Sequence, residues 1–396
     1  MPSRPAMTEA ADRIRAQVAR QGPVPWSVVL EAALYGPAGF YTGGGGAGQR
    51  RDFLTSPEVG PLFGAVVAAA VDDAWTRWGR PDPWVVLEVG AGAGSLAASV
   101  LAARPACSPA LRYIAVERSA ALRAAACSAL PVEDPAQILG PQIRSARDLR
   151  DDDDDPVADG PARARGIGPL VTVVADLPAV AVEGVVVANE LLDNLAFDLY
   201  RHRGGAWQEV RVGLDGSRLA EVEVPADRGP ARRLATLVPE PPEGSLVPWE
   251  SGAVGWLRRA LGGLVRGRLI VLDYVRSTAE LAQLPVEQWL RTYRAGGRGT
   301  DRLDDLGVQD ITVDVAVDQL GLVRVPTRIE HQAHWLDRHG MAALEAAAAA
   351  GWRAGAARGD LRALADRSRV GEAVILRDPQ GLGGFTVCEW DVGPDR

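Results

Sequence analysis

Apolar residues gather along this chain in two rhythms. Mostly apolar runs at Trp84–Val89, 113–116, 170–175, 184–188 and 268–274 suit strands buried on both faces, the habit of parallel sheets. Between the first of them, Ser95–Ala103 and residues 120–130 carry helical spacing. Strands alternating with helices predict right-handed crossovers and a mostly parallel sheet. Upstream, residues 6–34 read as two helices, the second opening near Pro25, and Ser56-Pro57 opens a long helix to about Trp78. Downstream, 197–224 is β-rich, with hairpin turns at Gly204-Gly205 and Asp215-Gly216. Residues 275–310 are polar and irregular. Helices follow around Trp335 and over 341–350, and 372–376 with 385–390 read as a closing hairpin.

These elements divide the chain into a helical N-terminal region over 1–80, a cofactor-binding core over 81–200, a β-rich and helical insertion over 201–265, and the rest of the core over 266–396. Within the core, residues 146–168 hold Asp151 through Asp155 with Pro and Gly and read as a disordered, solvated insertion. The run Gly43-Gly44-Gly45-Gly46-Ala47-Gly48 cannot hold regular structure cheaply. Composition favours a slack linker there, whereas its place just before 52–58 suggests a lid.

Charge and cysteines narrow the classes. The net charge of -8 speaks against a general nucleic-acid binder, and every basic residue is Arg. Cys107, Cys127 and Cys388 lie far apart without a C-x-x-C pair, which suits reduced thiols in the cytoplasm. No apolar run reaches the roughly 20 residues of a membrane span. His331, His334 and His339 invite a metal reading but lack a carboxylate at metalloprotease spacing, so no metal is expected.

The chemistry concentrates at Glu88-Val89-Gly90-Ala91-Gly92-Ala93-Gly94, a strand-to-helix junction. On spacing alone such a loop serves NAD, FAD or S-adenosyl-L-methionine (SAM). Three features favour SAM: Glu88 inside the motif, the G-x-G-x-G spacing of Gly90, Gly92 and Gly94, and Glu117 at the end of the second strand. A carboxylate there can accept from both ribose hydroxyls, although an exposed strand-end charge is the alternative. Asp176-Leu177 follows the third strand at the same sheet edge, either as an acceptor for the adenine amino group or as a helix N-cap.

Two further strings carry a family resemblance. Asp52-Phe53-Leu54-Thr55-Ser56-Pro57-Glu58 with Leu62-Phe63-Gly64, and Ala188-Asn189-Glu190-Leu191-Leu192-Asp193-Asn194-Leu195, closely resemble the signatures of the MidA family. Gly39-Phe40-Tyr41, Trp207-Gln208-Glu209-Val210, Asp273-Tyr274, Tyr293-Arg294 and Gln309-Asp310 add matches in order. The resemblance implies an α/β fold: a class I SAM-dependent methyltransferase, Rossmann-like, with a mostly parallel sheet, a closing antiparallel hairpin, a helical N-terminal addition and inserted substrate-covering segments. It places Gly90, Gly92, Gly94 and Glu117 on the cofactor, Thr55, Ser56 and Pro57 beside it, and Glu58, Asn189, Glu190 and Asp193 at the reacting end. Mitochondrial relatives are linked to arginine methylation in a complex I subunit. The implied partner is therefore a protein substrate, of the respiratory chain by that analogy, and a homodimer is allowed. The sequence departs from the pattern at Arg51, Ala93, Ala196, Val275 and 298–302.

For a guanidinium acceptor, carboxylates are the natural clamp through charge-assisted hydrogen bonds. Glu190 and Asp193 stand three residues apart, so a helix opening at Glu190 would put both on one face. Asn189 would supply an amide near the methyl. The alternative is that Asp193 only caps a helix.

Overall fold

The computed structural model describes residues 9–43, 55–139, 165–294, 297–357 and 359–393. Most of the glycine run over 43–48 and of the acidic stretch over 146–168 therefore lies outside the described residues, as do Asp52, Phe53 and Leu54. The chain forms two compact units. One comprises Leu54–Asn189, Arg259–Leu272 and Pro326–Arg396; the other comprises Met1–Phe53, Glu190–Arg258 and Asp273–Val325.

The first unit is built on a seven-stranded sheet. Its strands are β1 (Trp84–Val89), β2 (Leu111–Val116), β3 (Leu170–Val174), β4 (Val182–Asn189), β5 (Leu264–Asp273), β6 (Arg328–His331) and β7 (Thr386–Val392). Their order across the sheet is β6-β7-β5-β4-β1-β2-β3. The pairs β1–β2, β1–β4, β2–β3 and β4–β5 are parallel, and β6–β7 is antiparallel. Every residue of β1 and β2 is buried, which is why those strands read as mostly apolar runs. At Gly184 the packing reaches the backbone, where an added Cβ would stand 1.9 Å from the Val85 carbonyl oxygen.

Among the helices of this unit are α1 (Ser56–Val59), α2 (Pro61–Arg77), α3 (Ser95–Ala103), α4 (Ala120–Ala129), α5 (Gln332–Arg338), α6 (Met341–Gly355) and α7 (Leu361–Arg377). Two expectations change here. The helix over 56–78 is broken at Gly60 into α1 and α2. The expected closing hairpin does not form: β7 pairs antiparallel with β6, on the far side of α5, α6 and α7 in sequence, and 372–376 is the last turn of α7. The apolar Ala373-Val374-Ile375-Leu376 imitates a strand, but the Asp360 side chain caps the helix through the Ala363 N–H, and Ala363, Asp366, Ala373 and Leu376 turn inward at helical spacing.

The second unit holds an antiparallel sheet in which Ala206–Asp215 lies between Asp198–Arg203 and Arg218–Pro225. The two hairpin turns fall where the sequence put them, with Gly204 at φ 57, Gly205 at φ 78 and Gly216 at φ 60. Its core gathers Ile14, Trp26, Leu34, Phe197, Val210, Trp289 and Ile311. The stretch over 275–310 has more order than its polarity suggests: Leu290–Arg294 pairs with Asp310–Val313, and Thr278–Gln283 starts in a capping box from Ser277 and Glu280. Among the described residues no helix is long and apolar enough to cross a membrane.

Candidate functional site

After Val89 the chain turns through the glycine loop into α3. Gly90 and Ala91 both donate their N–H to the Val116 carbonyl, at 2.9 and 3.1 Å. Gly90, Gly92 and Gly94 take φ of 78, 56 and 86, a region that side chains avoid. A Cβ built on Gly92 meets nothing within 4 Å, so open space lies over the loop at that point. Glu117, just past β2, is buried. One of its oxygens accepts from the Gly92 N–H at 2.8 Å and the other from the Ser119 N–H at 2.6 Å. Burial raises its pKa, and these N–H donors act against that rise. A carboxylate has about four lone-pair sites, so roughly two remain for a vicinal diol. An open glycine loop beside an anchored carboxylate fits the ribose end of a nucleoside cofactor.

The sequence groups Glu88 with the cofactor contacts, whereas the structure gives its carboxyl to the protein interior. Glu88 is buried and accepts from the Tyr113 hydroxyl at 2.7 Å and from the Ala97 N–H. It thus supports the loop from β2 on one side and α3 on the other. Burial pushes its pKa up to about 8, against the Tyr113 hydrogen bond. Asp176 is half-buried and accepts from the Leu177 N–H at 2.8 Å. No helix starts there, so the N-cap alternative falls. Leu177 is buried.

Thr55 and Ser56 are buried at the start of α1, with Pro57 in its first turn. The Ser56 hydroxyl and the Gln332 amide exchange hydrogen bonds at 3.2 and 3.1 Å, and the same amide nitrogen reaches the Leu376 carbonyl at 3.4 Å. Ser56 therefore fastens the segment to α5 and α7. Glu58 accepts from the Ser95 hydroxyl at 2.6 Å, which ties α1 to the residue that follows the glycine loop. Sequence reasoning missed both partners. Ser95 had a signal, being next to Gly94, while Gln332 had none.

The remaining predicted residues follow β4. Asn189 is its last residue, and Glu190 takes φ 50, a left-handed conformation that is strained for a glutamate. Leu192–Asn194 then forms a single 3-10 turn. Glu190 stands outside that turn, so the expected shared helical face with Asp193 does not form. Asp193 does not cap the turn either. Asp273 anchors it instead, its Oδ2 accepting from the Leu192 N–H at 2.9 Å and its Oδ1 from the Tyr274 N–H. Asn194 is held by Asp310 at 3.0 Å and by the Tyr41 hydroxyl at 2.9 Å.

Asp193 itself is 4% exposed, and its Oδ1 has no hydrogen-bond partner among the described residues. Burial pushes its pKa up to about 7; Arg291 works against that rise and Asp314 adds to it. Arg291 is buried, 2.6 Å from Asp314, with its guanidinium 4.5 Å from the centre of the Tyr274 ring. Glu250 is fully buried, with one oxygen accepting from the Ala316 N–H at 3.3 Å and the other without a hydrogen-bond partner among the described residues. Burial raises it to about 8. Neither Arg291 nor Glu250 carried a signal in the sequence. The three histidines noted there separate: His339 binds Asp73 at 2.7 Å, while His331 and His334 stand 6.4 Å apart between ring centres.

Residues 66–329 match a family described as S-adenosyl-L-methionine-dependent methyltransferase. A superfamily member from Burkholderia thailandensis, crystallised with S-adenosyl-homocysteine, is 27% identical with a TM-score of 0.76, over 98% of this chain and 92% of its own. The mitochondrial protein arginine methyltransferase NDUFAF7 homolog of Drosophila melanogaster is 36% identical over 92 residues, 23% of this chain and 21% of that protein. Human NDUFAF7, also named a mitochondrial protein arginine methyltransferase, is 26% identical over 101 residues, 25% of this chain and 23% of its own. The chain thus matches only about a fifth of the length of these curated relatives.

Proposed function

The chain belongs to the MidA-type family of S-adenosyl-L-methionine-dependent methyltransferases, and from that membership we propose that it transfers a methyl group from SAM to a protein arginine side chain. Gly90, Gly92, Gly94 and Glu117 would hold the cofactor, with Asp176 and Leu177 at its adenine end and 55–57 alongside. Bound there, SAM supplies a sulfonium methyl as the electrophile. What the protein adds is alignment of the acceptor, exclusion of water and control of protonation.

The observation that carries the arginine reading is Asp193, a buried carboxyl with an oxygen that has no hydrogen-bond partner among the described residues. Such an atom is costly unless a ligand completes it. A guanidinium does so with a charge-assisted hydrogen bond, and Glu190 would supply the second carboxylate. The acidic net charge of -8 favours a cationic acceptor over a phosphate-rich one. The two curated relatives named as arginine methyltransferases point the same way. By that analogy the partner is a respiratory-chain subunit.

The test compares cells with and without the protein by mass spectrometry of proteins, RNA and small metabolites. The expected result is one arginine site that loses its methyl and regains it with wild type but not with Glu190→Gln. A lost methyl on RNA or on a metabolite would overturn the arginine reading and leave family membership intact.

A further inference from the structure

The surroundings of Asp193 hold more carboxyls than cations. Asp273 is fully buried, as is Glu250, and Asp314 is 2% exposed. Asp273 feels both Asp193 and Glu190, and Glu250 feels Asp193, Asp318 and Asp314. Tyr41, which also feels Asp193, brings Asp310 with it. Tyr274 faces the same group from beside Asp273. Against these acids stand Arg291 and Arg276, and both are engaged by Asp314, at 2.6 and 2.7 Å. Asp193 and Glu250 are both buried, and each keeps a carboxyl oxygen with no hydrogen-bond partner among the described residues.

Neighbouring acids out of water cannot all ionise without a cation among them. We propose that Asp193 carries a proton in the free protein and exchanges it for the cationic head of the acceptor, so that each acceptor bound releases one proton. This inference rests on the arginine reading and deepens it. The exchange is balanced: a proton leaves the Asp193 carboxyl for solvent, the guanidinium takes its place, and no bond to carbon changes. The raised pKa of Asp193, about 7 with burial as the cause, agrees with the geometry.

The sign of the pH dependence follows. Below about 7 the free site is protonated, so binding of a cation tightens by up to about tenfold per pH unit as pH rises, and levels off above. A neutral acceptor leaves the proton in place and shows no such slope. The device makes the site selective for charge.

The experiment uses the full chain saturated with S-adenosyl-homocysteine and two capped tripeptides, Gly-Arg-Gly and its uncharged citrulline counterpart. Calorimetry near pH 6.5, in buffers of low and high ionisation enthalpy, counts the protons released. The arginine peptide should release up to about one proton and tighten about tenfold from near pH 5.5 to near pH 6.5. Asp193→Asn should abolish both effects. Binding of the arginine peptide with no proton released and no pH slope would overturn the exchange while sparing the arginine reading. Equal binding of both peptides would overturn that reading.

Infrared difference spectra of the ligand-free protein, wild type minus Asp193→Asn, decide the proton independently of any acceptor. A protonated carboxyl band below neutrality that fades as pH rises supports the proposal. Its absence overturns the proposal whatever the acceptor.

Discussion

Gly92 and Glu117 meet through one hydrogen bond of 2.8 Å, and the proposed cofactor site would use each for a different reason. Gly92 combines φ 56 with open space where a Cβ would go. A valine there is strained in the loop and projects into the open space proposed for the cofactor. Gly92→Val should therefore leave SAM binding undetectable by calorimetry. Glu117→Ala keeps the loop's glycines but removes the acceptor, and should weaken binding by roughly 1–3 kcal/mol, the scale of lost hydrogen bonds to a charged group. Unchanged affinity in either variant would mean that the cofactor does not lie on this loop. That a glycine loop and a carboxylate adjoin here was legible from sequence, because glycine spacing after a strand and an acid one strand later are local signals. Glu88 was legible only in part: its motif position is a sequence fact, but its commitment to Tyr113 and the Ala97 N–H is a matter of packing. Arg291 and Glu250 were silent for a related reason. Each stands in an unremarkable stretch and gains its meaning from acids brought beside it by the fold.

The break between α1 and α2 shows how an element can be reset by a side chain about three hundred residues away in sequence. Pro57 and the apolar spacing that follows argue for one continuous helix, and that reading passes over Gly60-Pro61, a local break signal. The Glu372 carboxylate nevertheless occupies the break. It accepts from the Leu62 N–H at 2.9 Å, and a Cβ on Gly60 would lie 2.3 Å from its Cδ. The free N–H at the start of α2 is thus satisfied from α7 rather than by its own preceding residue. Glu372→Ala should destabilise the protein by roughly 1–2 kcal/mol, as loss of a helix cap does. Gly60→Ala should be costly in wild type and much cheaper in the Glu372→Ala background, because the clash partner is gone. Chemical denaturation of the four proteins in this cycle measures the coupling. Equal cost of Gly60→Ala in both backgrounds would refute the account. The strand β6 escaped sequence reading for a complementary reason: it is an edge strand, paired to β7 on one side, and Ile329 in it is half exposed, so it carries no apolar run.

At the scale of the whole molecule, two sets of buried carboxyls set opposite limits on stability. Glu389 on β7 is 2% exposed and accepts from the Trp335 indole at 2.8 Å, with Arg338 at 3.0 Å and Arg268 at 3.4 Å. Burial alone would raise its pKa, but His339, whose Nε2 stands 4.0 Å away, together with Arg268, Trp335 and Arg338 holds it down to about 2. A folded pKa below the unfolded value near 4.5 means that the stabilisation is present above about 4.5 and is lost as pH falls toward about 2. Asp193, Glu88 and Glu250 have raised values of about 7, 8 and 8, so the stability they contribute is full below the ordinary values of 3.8 and 4.5 and is lost as pH rises from there through the raised ones. Stability should consequently be greatest in weakly acidic solution and fall on both sides. Glu389→Gln should cost on the order of 3 kcal/mol near pH 6, because Arg268 and Arg338 lose a buried partner, and progressively less as pH approaches about 2. Denaturant midpoints of wild type and Glu389→Gln across this range give the test. A difference between them that stays constant down to the lowest pH would show that Glu389 is not the group whose protonation sets the acid limit.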